Sequence, residues 1–292
     1  MQTSKEAGKR EQTSAVPSGA EPLEQESAVP GDRDRDDGAR DYWNGRSTSF
    51  GSFSGPNPYA ETFIDYLGLE ESQSVLDMGC AVGTLAVPLA RRGHPVVACD
   101  FSPEMIRRLS EKVEGTDLPI TPVLMAWEDD WDACGYGADC VDVAIASRSA
   151  SFDDMSFPIR KLEKVARCKA AMTVPCGPLP LFEPCVMEFL GRKVPQKHLD
   201  ERALAVLESL GRKPEVHVID CERPMRFNSR ETAVSELRHM AGDAPFDENE
   251  QWWFDKYAAE HIFETREGES TIFRLDYRLT VNWVFISWEV AR

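Results

Sequence analysis

Five positions between residues 77 and 100 have the types and spacing to hold a charged small molecule: Asp77, Gly79, Ala81, Gly83 and Asp100. They lie in SVLDMGCAVGTLAVPLARRGHPVVACD, from Ser74 to Asp100. An apolar strand there ends in an acid, and a turn with small residues at alternate positions follows. A helix stopped by Gly93 then leads to a second apolar strand ending in a second acid. Such a unit holds a nucleotide-like ligand at the C-terminal edge of a parallel sheet. A dinucleotide fingerprint needs a third glycine for close helix packing and places a pyrophosphate on the helix N-terminus. Thr84 stands where that glycine belongs, and the Asp77 carboxylate opposes a pyrophosphate while suiting a cationic group. S-adenosylmethionine, with an ammonium, a sulfonium and no phosphate, meets that charge condition better than NAD.

The elements that must position these residues follow from periodicity. Residues 1–40 are rich in Ser, Pro, Gly, Glu and Asp without apolar periodicity and are expected to be a disordered tail, either a neutral extension or a regulatory one. Order is expected from Asp41, where Tyr42, Trp43, Phe50 and Phe53 precede the first strand as core staples or as a cover over a ligand. The spacing predicts a helix over Tyr59–Leu67 with Gly68 as its C-cap. Ser102, Pro103 and Glu104 start a helix whose buried stripe is Met105, Ile106, Leu109 and Val113. Strands are expected over 120–125, 140–147 and 168–174, with a helix over 156–167, so that five βα units alternate. Right-handed crossovers then make the sheet parallel and doubly wound. Further on, helices are expected at 181–190, 200–210, 229–240 and 248–263, a strand at 215–221, and a long strand or hairpin at 270–290.

Bulk properties narrow the function. The chain has 292 residues, 42% of them apolar, and a formal net charge of −17. A phosphate backbone is repelled by that field unless a basic patch overrides it, so no nucleic acid is expected as a partner. Eight dispersed cysteines show no C-x-x-C and no histidine at ligand spacing, so no metal site or disulfide framework is expected. Reduced, mostly buried thiols in a cytoplasmic protein are the expectation. The absence of a long apolar run predicts no membrane span.

VLDMGCAVG, then VVACD, then FSPEMI resembles the class I S-adenosylmethionine-dependent methyltransferase family, over about residues 42–292 and most strongly from Ser74 to Arg148. Asp100 lies 21 residues after Gly79, as that family requires. The resemblance implies an α/β, doubly wound, mostly parallel seven-stranded Rossmann-like sheet. Its last strand would be antiparallel, with helical, lid-like insertions at about 178–196 and 222–268. It implies that Asp77 orients the methionine ammonium and that the backbone from Gly79 through Cys80 and Ala81 to Gly83 approaches the methionine and ribose. Ala81 replaces a common glycine. Asp100 would accept both ribose hydroxyls, and Phe101 or Met105 would pack on the adenine, although Met105 at helical spacing also reads as core. Where many relatives carry an acid after the third strand, Trp127 would pack near the adenine and Glu128 would accept from its amino group. Ser147 and Arg148 would face the methyl and the acceptor.

Methyl transfer from a sulfonium is an in-line displacement that needs positioning and desolvation, and a base only where the nucleophile must lose a proton. The (Asp/Asn)-Pro-Pro-(Tyr/Phe) motif of amino-directed relatives is replaced by SRSAS. Arg148 could clamp an anionic acceptor or pair with Asp153 or Asp154. His198 could be a base or an ordinary surface residue, and Cys176 a thiol near the site or a structural one. The expected reaction is methylation of a small molecule. The alternatives are a protein or nucleic-acid methyltransferase and a cofactor-binding subunit without catalysis. A homo-oligomer is compatible with either.

Overall fold

The computed structural model describes residues 40, 43–44 and 57–291, except 178, 180, 181, 224, 243 and 269. The expected tail, Arg40 apart, and Asp41, Tyr42, Phe50 and Phe53 lie outside the described residues.

The first helix, α1 (Pro58–Leu67), starts where the Asn57 side chain accepts from the Tyr59 and Ala60 amides and ends where Gly68 turns left-handed at φ 58°. The organising unit follows as β1 (Val75–Met78), α2 (Ala86–Arg91) and β2 (Val96–Asp100). Ser102 then caps α3 (Pro103–Val113) by accepting from the Met105 amide. Met105 and Leu109 are its buried stripe; the expected neighbours Ile106 and Val113 are only half-buried. β3 (Ile120–Leu124), β4 (Val141–Ser147), α4 (Ser156–Val165) and β5 (Ala166–Pro175) complete the alternating series. Beyond it come α5 (Pro184–Phe189), α6 (Leu199–Ser209), β6 (Glu215–Arg223), β7 (Arg226–Phe227), α7 (Arg230–Met240) and α8 (Glu248–His261). The chain ends in β8 (Ile262–Glu267), β9 (Ser270–Leu275) and β10 (Leu279–Glu289).

Seven strands form one sheet in the order β3-β2-β1-β4-β5-β10-β6, in which β10 runs antiparallel to both neighbours and the other strands run together. The order reverses between β1 and β4, which is where a doubly wound sheet opens its ligand crevice. β1 and β4 are buried on both faces, so they read as continuous apolar runs. Leu76 and Ala144 belong to the core on one face, and Val75 and Val143 to the core on the other.

β6 and β10 pair from Leu279 opposite Arg223 to Ser287 opposite Glu215, whereas β5 ends at Pro175 opposite Trp283. The two-strand ribbon therefore runs four residues, about 13 Å at 3.3 Å per residue, past the C-terminal edge of β5. It leads into a third core formed by α5, α7, α8 and a small sheet of order β7-β9-β8, with Phe254, Leu237 and Val186 fully buried. The insertion thus adds an antiparallel sheet to the expected helices. β9 pairs with β7 and β8 while β10 returns to the main sheet, so Ser270–Val290 is not a hairpin.

One further expectation is corrected. Among the cysteines only Cys80 and Cys99 are buried; Cys134, Cys176 and Cys185 are exposed, although all eight are free thiols. Trp252 and Trp253 stand 58% and 37% exposed, because α8 buries Phe254, Tyr257 and Ala258 instead.

Candidate functional site

The turn after β1 is held by main-chain bonds from Gly79 and Cys80 to the Cys99 carbonyl, at 2.7 and 2.9 Å. Gly79 has φ 80°, and a Cβ there would fall inside the Ser149 side chain, whose hydroxyl donates to the Met78 carbonyl at 2.5 Å. Gly83 has φ 89°, and a Cβ there would come within 2.7 Å of Leu109 and 2.8 Å of Val87. Both glycines are therefore demanded by the protein's own packing. Ala81 adopts a left-handed φ of 48°, which costs about 1 kcal/mol without glycine. That geometry sends its amide to Asp100 Oδ2 at 2.9 Å.

Asp77 is 1% exposed, and among the described residues neither of its carboxylate oxygens has a hydrogen-bond partner. Burial, then the Asp100 charge, push its pKa up to about 7; the Ala86 amide pulls the other way without reaching hydrogen-bond geometry. Asp100 is also buried, and burial pushes it up to about 6 against the opposing pull of the Ser102, Ala81 and Phe101 amides. Its Oδ1 accepts from the Ser102 amide at 2.9 Å. The Ser102 hydroxyl in turn donates to Asn44 Oδ1 at 2.7 Å, which draws the half-buried Trp43–Asn44 segment onto this corner.

Two buried carboxylates on adjacent strands, one of them unpartnered, form a site for a cation. A ligand with an ammonium for Asp77 and a diol for the outer lone pairs of Asp100 satisfies both, and S-adenosylmethionine has both groups.

The other expected contacts are placed as follows. Cys80 is buried, and burial drives its thiol well above the usual range, so it offers its backbone rather than its sulfur. Phe101 is half-buried beside Asp100, and Met105 is fully buried core. Trp127 packs edge-on to Phe152 at 5.5 Å and tilted against Trp131 at 5.4 Å, and its indole N–H donates to the Ser149 carbonyl. It props the loop that carries Ser149. Glu128 is exposed.

A second cluster stands on the ends of β4, β5 and β10. The Tyr59 hydroxyl hydrogen-bonds to Ser147 Oγ and Thr173 Oγ1, each at 2.7 Å. Thr173 Oγ1 also accepts the Arg148 amide at 3.0 Å, and Arg148 takes a left-handed φ of 57°. Its guanidinium stacks 4.0 Å from the Tyr59 ring centre and 5.8 Å from that of Trp283. Ser147 and Arg148 stand at the end of β4, held there by contacts with Tyr59, Thr173 and Trp283, which the sequence does not single out. Asp153 pairs with Lys197 and Arg202, and Asp154 caps Ser156. His198 sits exposed at the N-terminus of α6, 3.5 Å from Glu201. The Cys176 thiol is raised by burial and by Asp200; its amide donates to the Asn282 carbonyl, beside Trp283.

Comparison with known proteins finds a domain match and fold neighbours. Residues 75–168 match the family model described as a methyltransferase domain. An uncharacterized protein of Haemophilus influenzae is 34% identical over 119 residues, which is 40% of this chain; the match spans 43% of that relative. The YcgJ protein of Bacillus subtilis superposes with a TM-score of 0.50 at 14% identity, over 80% of this chain and 98% of that one. Phosphoethanolamine N-methyltransferase 2 of Haemonchus contortus, solved with phosphomonomethylethanolamine and S-adenosylhomocysteine, gives a TM-score of 0.50 at 17% identity. That overlap covers 89% of this chain and 59% of the other.

Proposed function

We propose that this chain, which carries a class I, Rossmann-like methyltransferase domain, transfers a methyl group from S-adenosylmethionine to a small-molecule acceptor. The observation that carries the reading is Asp77: a buried carboxylate with both oxygens unpartnered, at the end of β1 where the sheet order reverses. When bound, the sulfonium supplies an electrophilic methyl.

The chain's residues do the rest. Asp77 holds the ammonium, which compensates the charge that burial opposes. Asp100 accepts the ribose hydroxyls while keeping its bonds from the Ala81 and Ser102 amides. Ser147, Arg148 and Tyr59 present the acceptor on the adjoining strand ends, so that its nucleophile meets the methyl in line. The insertion departs from the same edge, through the end of β5 and the β6–β10 ribbon, and excludes water from the reacting atoms. A cytoplasmic location is part of this reading, and eight free thiols support it. Among the described residues no helix is long and apolar enough to cross a membrane.

The test is two-fold. Calorimetry with S-adenosylhomocysteine must show binding, and incubation of methyl-labelled cofactor with a metabolite extract must label a small molecule. Absence of binding refutes the reading. Binding without any labelled product supports a cofactor-binding subunit instead, and label in protein or RNA points to those acceptors.

A further inference from the structure

Ser102 is fully buried, and its hydroxyl is engaged twice. The oxygen accepts the Met105 amide at 3.2 Å as the cap of α3, and the proton goes to Asn44 Oδ1 at 2.7 Å. A buried hydroxyl left without its acceptor is costly, and here the acceptor comes from 58 residues away in the chain. Asn44 and its neighbour Trp43 are helical and half-buried.

Ser102 also holds Asp100. Its amide donates to Asp100 Oδ1 at 2.9 Å, while the Ala81 amide donates to Oδ2 at 2.9 Å. One N–H on each oxygen sets the plane of the carboxylate, and with it the direction of the lone pairs left for a ligand. The Ala81 donor stands on the turn after β1, which the bonds from Gly79 and Cys80 to the Cys99 carbonyl secure. The Ser102 donor stands between β2 and α3, tied on one side to Met105 and on the other to Asn44.

We propose that Asn44 is a positioning residue for the cofactor's ribose: it anchors Ser102, and through the Ser102 amide it aims the Asp100 carboxylate at the diol. This rests on the S-adenosylmethionine reading above. A neutral amide oxygen suits the task, since a carboxylate there would add a charge beside two acids whose ionisation burial already opposes. Docking of Trp43–Asn44 and binding of the ribose then reinforce each other, because coupling between two equilibria is reciprocal.

The test uses the full chain. S-adenosylhomocysteine is titrated by calorimetry, and adenosine and its dideoxy analogue, which lacks both ring hydroxyls, are ranked by displacing it. The parent is expected to prefer adenosine about tenfold or more, since the analogue leaves the outer lone pairs of Asp100 unpaired. Asn44→Leu, close in volume but without an acceptor, is expected to weaken adenosine about fivefold and the analogue less than twofold. A purely structural loss weakens both alike. In a Ser102→Ala background, which has no hydroxyl proton to place, Asn44→Leu is expected to change the ratio by less than about twofold. Hydrogen exchange on the parent answers without any variant: saturating adenosine is expected to slow the Trp43 and Asn44 amides about fivefold more than the saturating analogue does. The role is overturned if the parent does not discriminate between the two nucleosides, if Asn44→Leu leaves their ratio unchanged, or if both protect these amides equally. Failure of S-adenosylhomocysteine to bind refutes the methyltransferase reading. Its binding with an unchanged ratio refutes the role of Asn44 alone.

Discussion

Replacing Asp77 by Asn is expected to stabilise the protein without cofactor and to cripple cofactor binding. In the fold the Asp77 pKa stands at about 7 against 3.8 for the free side chain. A raised carboxyl pKa means that ionisation costs the folded state, so stability is full below about pH 4 and is lost as pH rises through 7. At about 1.4 kcal/mol per pH unit, the cost at pH 8 is on the order of 4 kcal/mol, and about half of it accrues between pH 5.5 and 8. An Asn side chain removes that cost but leaves a buried amide N–H2 to satisfy, at about 2 kcal/mol. The net gain at pH 8 is then about 2 kcal/mol, or roughly 4–8 °C in Tm. Denaturant titrations of parent and Asp77→Asn at pH 5.5 and 8 measure it, since their difference cancels the titrating groups that do not interact with Asp77. Calorimetry on the same samples is expected to show S-adenosylhomocysteine affinity down about 30-fold or more, because a buried charge pair loses one partner. The reasoning is refuted if the variant is less stable than the parent at pH 8, if the difference is the same at both pH values, or if affinity is unchanged.

Asp100→Ala strips the acceptor from the Ala81 and Ser102 amides. It is expected to cost about 2 kcal/mol of stability and at least tenfold in S-adenosylhomocysteine affinity, both readable in one thermal-shift series. Gly79→Ala drives a methyl into Ser149 at a positive φ and is expected to destabilise by about 3 kcal/mol. Ser149→Gly in the same chain should restore part of that loss; no rescue counts against the packing explanation. Arg148→Ala is expected to raise the acceptor KM about tenfold while cofactor affinity holds, and unchanged acceptor kinetics would sink its role as a clamp. Arg192 holds both Glu250 oxygens, at 2.8 and 3.0 Å, from a largely buried position in the third core. Arg192→Ala is expected to cost about 2–3 kcal/mol in denaturant titrations but to leave S-adenosylhomocysteine affinity within twofold, since it touches the insertion alone.

Much of the candidate site's framework was legible because it is local. Asp77, Gly79, Ala81, Gly83 and Asp100 fall within one strand–turn–helix–strand unit, where spacing along the chain maps directly onto spacing in the turn. The caps at Gly68 and Ser102 were equally readable, as each acts over a few residues. What surrounds Trp127 and Glu128 depends on the path of an irregular loop, in which the Trp127 indole donates to the Ser149 carbonyl and Glu128 is exposed. The exposed cysteines and the split between β9 and β10 escaped the sequence for the same reason, since neither burial nor strand partnership is a property of a local pattern.

Composition, charge and the Ser74–Asp100 pattern determined the α/β class and a turn that favours a cation over a pyrophosphate, because those properties arise from neighbours in the chain. The cluster on the ends of β4, β5 and β10 was decided by tertiary structure. Tyr59 meets Ser147 and Thr173 across 88 and 114 residues. Trp283 joins them because β10 inserts antiparallel between β5 and β6. Sheet order is a long-range choice, set by which apolar faces can be buried together, and it brings Trp283 beside the Arg148 guanidinium at the edge where β1 ends in Asp77.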